Sequence, residues 1–234
     1  FPLEDFAQLS GASRKTKYKS SLELVAQLIE EFCTFPRVEA KKMLKLILFC
    51  FLCGNEDQHL KNFSVLVKDG KAALSPCYDL VNSTVVLAKP TEESALTLAG
   101  KRSKLKRSNF LEYAKVRLKL KEGVIEAVFQ DLAQGLTYWR ELIRSSFLPE
   151  GQADKYLELF QERQHRLGFV LTQCDSDQVD LLSRHSLTSG SGGHQAFFRQ
   201  LARQRLDGLQ CLTADQLDRA KTLQEGSGTW QTAY

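Results

Sequence analysis

The sequence lacks any hydrophobic run long enough to cross a membrane. Its longest, Leu46 to Cys53, has eight residues, whereas a spanning helix needs about 20, so the run reads as part of a buried core helix. No secretory signal is visible. Neither sign of charge is in large excess: the formal net charge is +4, too small to argue by itself for nucleic-acid binding. A zinc-type cysteine set is missing as well. Of Cys33, Cys50, Cys53, Cys77, Cys174 and Cys211, only Cys50 and Cys53 show C-x-x-C spacing. They lie inside the apolar run, and no second pair follows to complete four ligands. Scattered thiols in a lysine-rich chain imply a reducing, cytoplasmic setting. There is no fixed-period repeat. What remains is an ordinary globular balance, 43% hydrophobic and 26% charged over 234 residues. That is enough for one large domain, or one with a small appendage. The first residue is Phe1 rather than Met, and the expectation is a gene product that starts further upstream.

Residues 1–16 read as irregular. Ser20 and Glu23 have the spacing of a capping box ahead of Leu24, Val25, Leu28 and Ile29, which predicts a helix ending near Phe35–Pro36. A second helix is expected over Val38–Cys53, with Gly54 as its stop. Phe63–Val67 and Ala72–Leu74 flank Asp69-Gly70, a strong two-residue hairpin signal. Ser94–Leu98 reads as extended and Phe110–Leu118 as helical. Val124, Ile125, Val128, Leu132, Leu136, Trp139 and Ile143 make one helical stripe over Gly123–Ile143. Asp154–Leu167 adds a last helix. The expected fold class is mainly α (α+β), a helical lobe with one small β-hairpin. Near Gln173 the composition changes: residues 173–234 hold one lysine against five arginines. Ser189–Gly193 is linker-like, and two short amphipathic stretches follow. We therefore expect one lobe over 1–172 and a separate, unassigned tail over 173–234, with no role for His185 or His194.

The chemistry is concentrated in Gly54-Asn55-Glu56-Asp57-Gln58-His59-Leu60-Lys61-Asn62-Phe63-Ser64. Asp57 precedes Asn62 by five positions, the spacing with which protein kinases place a proton-accepting Asp and a Mg²⁺-binding Asn. A carboxylate can take a hydroxyl proton and orient the oxygen for in-line attack. An amide oxygen is a hard neutral ligand that suits Mg²⁺. A second metal ligand is needed after a hairpin, and Asp79, in Pro76-Cys77-Tyr78-Asp79-Leu80, has that place in the order. No Phe-Gly follows it, unlike the eukaryotic form. Alone, each residue is more often a turn former or a cap; their joint order favours the functional reading.

That string resembles the catalytic loop of HipA-type toxin kinases of bacterial persistence modules, and Pro76-x-Tyr78-Asp79 is similar to their metal-binding segment. Glu4-Asp5-Phe6-Ala7-Gln8 followed by Lys17-Tyr18, Leu96-Thr97-Leu98-Ala99-Gly100-Lys101, and Leu159–Leu167 resemble further family segments, so the match covers roughly residues 1–172. The resemblance implies a HipA-like serine/threonine kinase that uses Mg²⁺ and ATP. It implies Asp57 as catalytic base, with Asn62 and Asp79 as metal and cofactor ligands. His59 would orient the loop or, less readily, accept a proton; Lys61 would face the transferred phosphate or simply be a solvated loop lysine. The implied target is a translation component such as an aminoacyl-tRNA synthetase. The implied partner is a helix-turn-helix antitoxin through which any DNA contact would be indirect, and no membrane is involved. The basic run Lys101, Arg102, Lys104, Lys106 and Arg107 reads as a solvated face. The family's phosphate loop and nucleotide-pairing lysine belong to an N-terminal lobe not found in this sequence. The chain alone is therefore expected to bind Mg-ATP weakly. The rival reading is a truncated or split lobe that docks an antitoxin or partner without catalysis.

Overall fold

The hydrophobic stripe of α3 (Pro36–Cys53) organises the lobe. Pro36 stands at its first turn, where a missing N–H costs nothing. Met43, Leu44, Leu48 and Leu52 are fully buried. So much of its C-terminal half is apolar that α3 can only be a core helix. It packs against α2 (Leu22–Phe32), α6 (Glu122–Leu136) and α8 (Glu150–Leu167). The computed structural model describes residues 2–13, 16–86, 91–136 and 138–169. Those outside Pro76–Tyr78 form one compact unit. The proposed division at Gln173, the linker and the tail lie outside the described residues. Among the described residues no helix is long and apolar enough to cross a membrane.

The segment expected to be irregular is instead ordered by its pairing partners. β1 (Leu3–Asp5) lies antiparallel to β2 (Ser64–Lys68), with Leu3 opposite Leu66, and β3 (Lys71–Leu74) pairs on the other side of β2. The hairpin is thus part of a three-stranded sheet of order β1-β2-β3. Its turn is the expected one: Asp69 and Gly70 both have positive φ, 52° and 70°, as a type I′ turn requires. The short helix α1 (Phe6–Leu9) follows β1 directly. It is fixed by a capping box in which Asp5 accepts from Gln8 N at 2.8 Å and Gln8 Oε1 accepts from Asp5 N at 3.0 Å. Phe6 is buried against Phe63, with ring centroids 6.0 Å apart. A local strand signal in three residues is too weak to see without its partner.

Two further expectations are corrected. The cap of α2 is Ser21, which accepts from Leu24 N at 3.3 Å, not Ser20. The Ser20 backbone is already committed to the Leu96–Leu98 segment, since Thr97 N donates to Ser20 O at 3.2 Å. Glu23 accepts instead from Ala99 N at 2.9 Å. The long stripe over Gly123–Ile143 is two helices, α6 and α7 (Trp139–Arg144). The reason is that their partners differ: α6 lies on α3, whereas α7 lies on α8. Trp139 fills the corner, its ring 5.1 Å from Phe49 and 4.7 Å from Phe160. The remaining short helices are α4 (Ser83–Val86) and α5 (Arg107–Glu112), the latter continuing as a π turn over Tyr113–Arg117.

Two arginines, Arg163 buried and Arg166 half-buried, tie α8 to the centre. Arg163, 3% exposed, donates to Phe51 O at 3.0 Å. Arg166 grips Glu93 with two bonds of 2.7 and 2.9 Å. Desolvation works against the Glu93 carboxylate, but the Arg166 bonds and the Leu105 amide outweigh it and hold the group below the usual carboxylate range. Part of the basic run is likewise spent internally. Arg107 donates to Leu167 O at 2.6 Å and lies over the Phe129 ring at 4.0 Å, and Arg102 pairs with Glu92 at 3.3 Å.

Candidate active site

The site begins where α3 stops. Gly54 takes φ +74°, and a Cβ there would stand 2.6 Å from Leu159 Cδ2 and 2.9 Å from Asn82 Oδ1. Only glycine meets both the left-handed backbone and the close approach of α8. Its carbonyl accepts from Thr84 N at 3.1 Å and Thr84 Oγ1 at 2.8 Å. Gly54→Ala is expected to destabilise the lobe by about 1–3 kcal/mol, read as a lower midpoint in chemical denaturation.

Beyond Gly54 the chain has no regular structure until the 3₁₀ turn Leu60–Asn62, so side-chain amides hold the loop. Asn55, 2% exposed, accepts from Asp57 N at 3.1 Å. Its Nδ2 donates to Gln58 Oε1 and to Asp79 O, each at 3.1 Å. Gln58 Nε2 donates to Asn62 O at 3.1 Å. Asn55 thereby ties the loop to the segment after the hairpin, 24 residues on.

Asp57, Asn62 and Asp79 meet here. Asn62 is buried, and its Nδ2 donates to Asp79 Oδ2 at 2.8 Å and to Asp57 O at 3.3 Å. Asp79 is exposed and has φ +56°, an uncommon conformation that Asp tolerates better than most residues. Asp57 is half-buried, and its Oδ1 accepts from the Tyr18 hydroxyl at 2.5 Å. His59 is 5% exposed. Its Nε2 is 2.5 Å from Lys17 Nζ and its Nδ1 is enclosed without a partner. An ammonium can only donate, so Nε2 accepts and the ring proton is on Nδ1. Burial and then the Lys17 charge lower the His59 pKa, which keeps the ring neutral at pH 7. Lys61 is exposed on the 3₁₀ turn.

The sequence reading missed the contacts of Lys17 and Tyr18 with His59 and Asp57. In the sequence the two residues stand out only as part of a family segment, and nothing local to Tyr18 points across 39 positions to Asp57. The scaffolding duty of Asn55 and Gln58 was likewise missed, and the three amides Asn55, Gln58 and Asn62 within one short loop were the signal available for it. Among the described residues no three or more His, Cys, Asp and Glu side chains gather into a metal-holding group. The buried Cys50 and Cys53 therefore form no such centre there.

With this geometry the class is defined by comparison. The profile of the HipA-like C-terminal domain matches residues 1–139, and the chain belongs to that family. Among its relatives are Y4mE and Y4dM of Sinorhizobium fredii, both provisionally named kinases. Y4mE is 34% identical over 103 residues, 42% of this chain and 24% of that protein. Y4dM is 33% identical over 100 residues, 42% of this chain and 24% of that protein. A provisionally named kinase of Haemophilus influenzae is 24% identical over 159 residues, 61% of this chain and 46% of that protein. In fold, the chain is similar to one chain of the Shewanella oneidensis MR-1 complex of HipA, HipB and operator DNA. The TM-score is 0.60 at 20% identity, over 71% of this chain and 44% of that one. The chain thus spans about a quarter to a half of the length of these relatives.

Proposed function

We propose that this chain is the catalytic lobe of a HipA-type serine/threonine kinase that transfers the γ-phosphoryl group of Mg-ATP to a protein hydroxyl. One observation carries the reading: across the hairpin, the Asn62 amide joins the Asp79 carboxylate to the backbone carbonyl of Asp57. The donor set fits Mg²⁺, a hard cation that takes oxygen ligands and keeps several waters. Asn62 Oδ1 and the Asp79 carboxylate would hold it once the Asn62 amide turns over to present oxygen rather than nitrogen. When bound, Mg²⁺ supplies positive charge against the phosphate oxygens. Asp57 holds the acceptor hydroxyl and takes its proton. Asn55 fixes the distance between loop and Asp79, and neutral His59 backs the loop rather than titrating.

The acceptor we propose is a translation component such as an aminoacyl-tRNA synthetase. The partner we propose is a helix-turn-helix antitoxin, supported by the HipB in the similar complex, with DNA reached only through it. Both place the protein in the cytoplasm. The test is incubation of the full-length gene product with Mg-ATP labelled in the γ-phosphate. Label on protein serine or threonine is expected, and its absence in the presence of a folded protein and a cognate acceptor contradicts the reading.

A further inference from the structure

Two adjacent side chains lie across the catalytic loop. Lys17 Nζ meets His59 Nε2 at 2.5 Å, and the Tyr18 hydroxyl donates to Asp57 Oδ1 at 2.5 Å. The Tyr18 ring stands edge-on to the His59 imidazole, with centroids 4.9 Å apart and an interplanar angle of 82°. Its backbone is held from the other side, because Arg102, itself paired with Glu92 at 3.3 Å, donates to Tyr18 O. Leu60 N also reaches Lys17 O at 3.5 Å. The phenol is therefore aimed at Asp57 by contacts at its ring and at its carbonyl.

We infer that Tyr18 is a positioning residue that fixes the Asp57 carboxylate for the acceptor hydroxyl. The inference rests on the reading of Asp57 as proton acceptor. The Asp57 backbone is already pinned: its N–H goes to Asn55 Oδ1 at 3.1 Å, and its carbonyl takes His59 N at 2.8 Å and Asn62 Nδ2 at 3.3 Å. What remains free is the rotation of the carboxylate, and the Tyr18 bond removes it. An ionised carboxylate offers about four acceptor positions. Tyr18 occupies one of them on Oδ1 and leaves the others for substrate. A charge-assisted O–H···O⁻ bond of this length belongs to the strong class. The phenol also cannot compete for the substrate proton. Burial first, then the bond to Asp57 and the charges of Asp57 and Asp79, push its pKa up to about 12, so it remains a donor across the physiological range. Orientation of this kind matters because a misplacement of about 1 Å can cost about 10²-fold in rate.

Tyr18→Phe tests this in the full-length protein. It keeps the ring and its contact with His59 and removes one oxygen. The expected result is a kcat lower by about tenfold with KM for ATP within about twofold and an unchanged melting temperature. Without substrate, ¹³Cζ-tyrosine NMR at pH 8 should show the Tyr18 signal, assigned by its loss in Tyr18→Phe, moving in Asp57→Asn. An unchanged kcat in Tyr18→Phe overturns the inference. So does a raised kcat, which would make the hydroxyl a plug in the acceptor position, or a fall in melting temperature with a raised KM, which would make it merely structural. Asp57→Asn assayed alongside separates the two levels. If that variant still transfers phosphate at the wild-type rate, the reading of Asp57 fails and the inference falls with it. If it is inactive while Tyr18→Phe matches wild type, the inference alone falls.

Discussion

Asp57→Asn in the full-length protein is expected to reduce phosphoryl transfer by about 10²–10⁴-fold, the usual contribution of a positioned proton acceptor. The lobe is expected to stay folded. Asn keeps the size of Asp, and its amide oxygen can still accept from Tyr18. The backbone bonds that shape the loop, from Asp57 N to Asn55 Oδ1 and from Asn62 Nδ2 to Asp57 O, do not involve the carboxylate. What Asn cannot do is take a proton from a hydroxyl. The loss should therefore fall on kcat with KM for ATP little changed, measured from initial rates with labelled ATP. Wild-type turnover in this variant would remove Asp57 from the chemistry.

Phe160→Ala is expected to destabilise the lobe by about 3–5 kcal/mol, read from urea unfolding. Phe160 is 0% exposed, and its ring stacks on Trp139 at 4.7 Å, so truncation removes both burial and an aromatic pair and leaves a cavity. The functional consequence follows from the neighbouring residue. Leu159 on the same helix packs on the Gly54 turn that starts the loop. Loosening α8 should therefore also lower activity below the temperature at which the lobe melts. An unchanged unfolding midpoint would mean that the α7–α8 corner contributes little to the core.

The elements legible in the sequence were those that carry their own signal. Val38–Cys53 was visible as a helix because its apolar residues and Gly54 stop are local, and the hairpin because Asp69-Gly70 sets its turn chemistry. The order Asp57, Asn62, Asp79 was legible because hairpin geometry returns the chain to where it left. What was illegible depends on distant partners. β1 has three residues and exists because β2 offers an edge. Ser21 displaces Ser20 as cap because Thr97, 77 positions away, claims the Ser20 backbone. The break between α6 and α7 is hidden because a single periodic stripe serves two different partner helices. Tyr18 looks like an ordinary surface aromatic until the loop is folded against it. The same dependence explains the polar side chains around the loop: with no ladder or helix to satisfy the backbone between Gly54 and Leu60, Asn55 Oδ1 takes the Asp57 N–H, Ser83 Oγ takes the Glu56 N–H and Asn62 Nδ2 donates to Asp57 O.

Asn62 and Asp79 meet where the proposed cation would bind. A crystal structure of the full-length protein grown with Mn²⁺ and a non-hydrolysable ATP analogue would show it, since Mn²⁺ scatters anomalously and takes the same oxygen ligands as Mg²⁺. The expected result is an anomalous peak ligated by Asn62 Oδ1 and the Asp79 carboxylate, with the terminal phosphate facing Asp57. A cation bound elsewhere, with Asn62 still donating its amide N–H to Asp79 and no phosphate near Asp57, would contradict it.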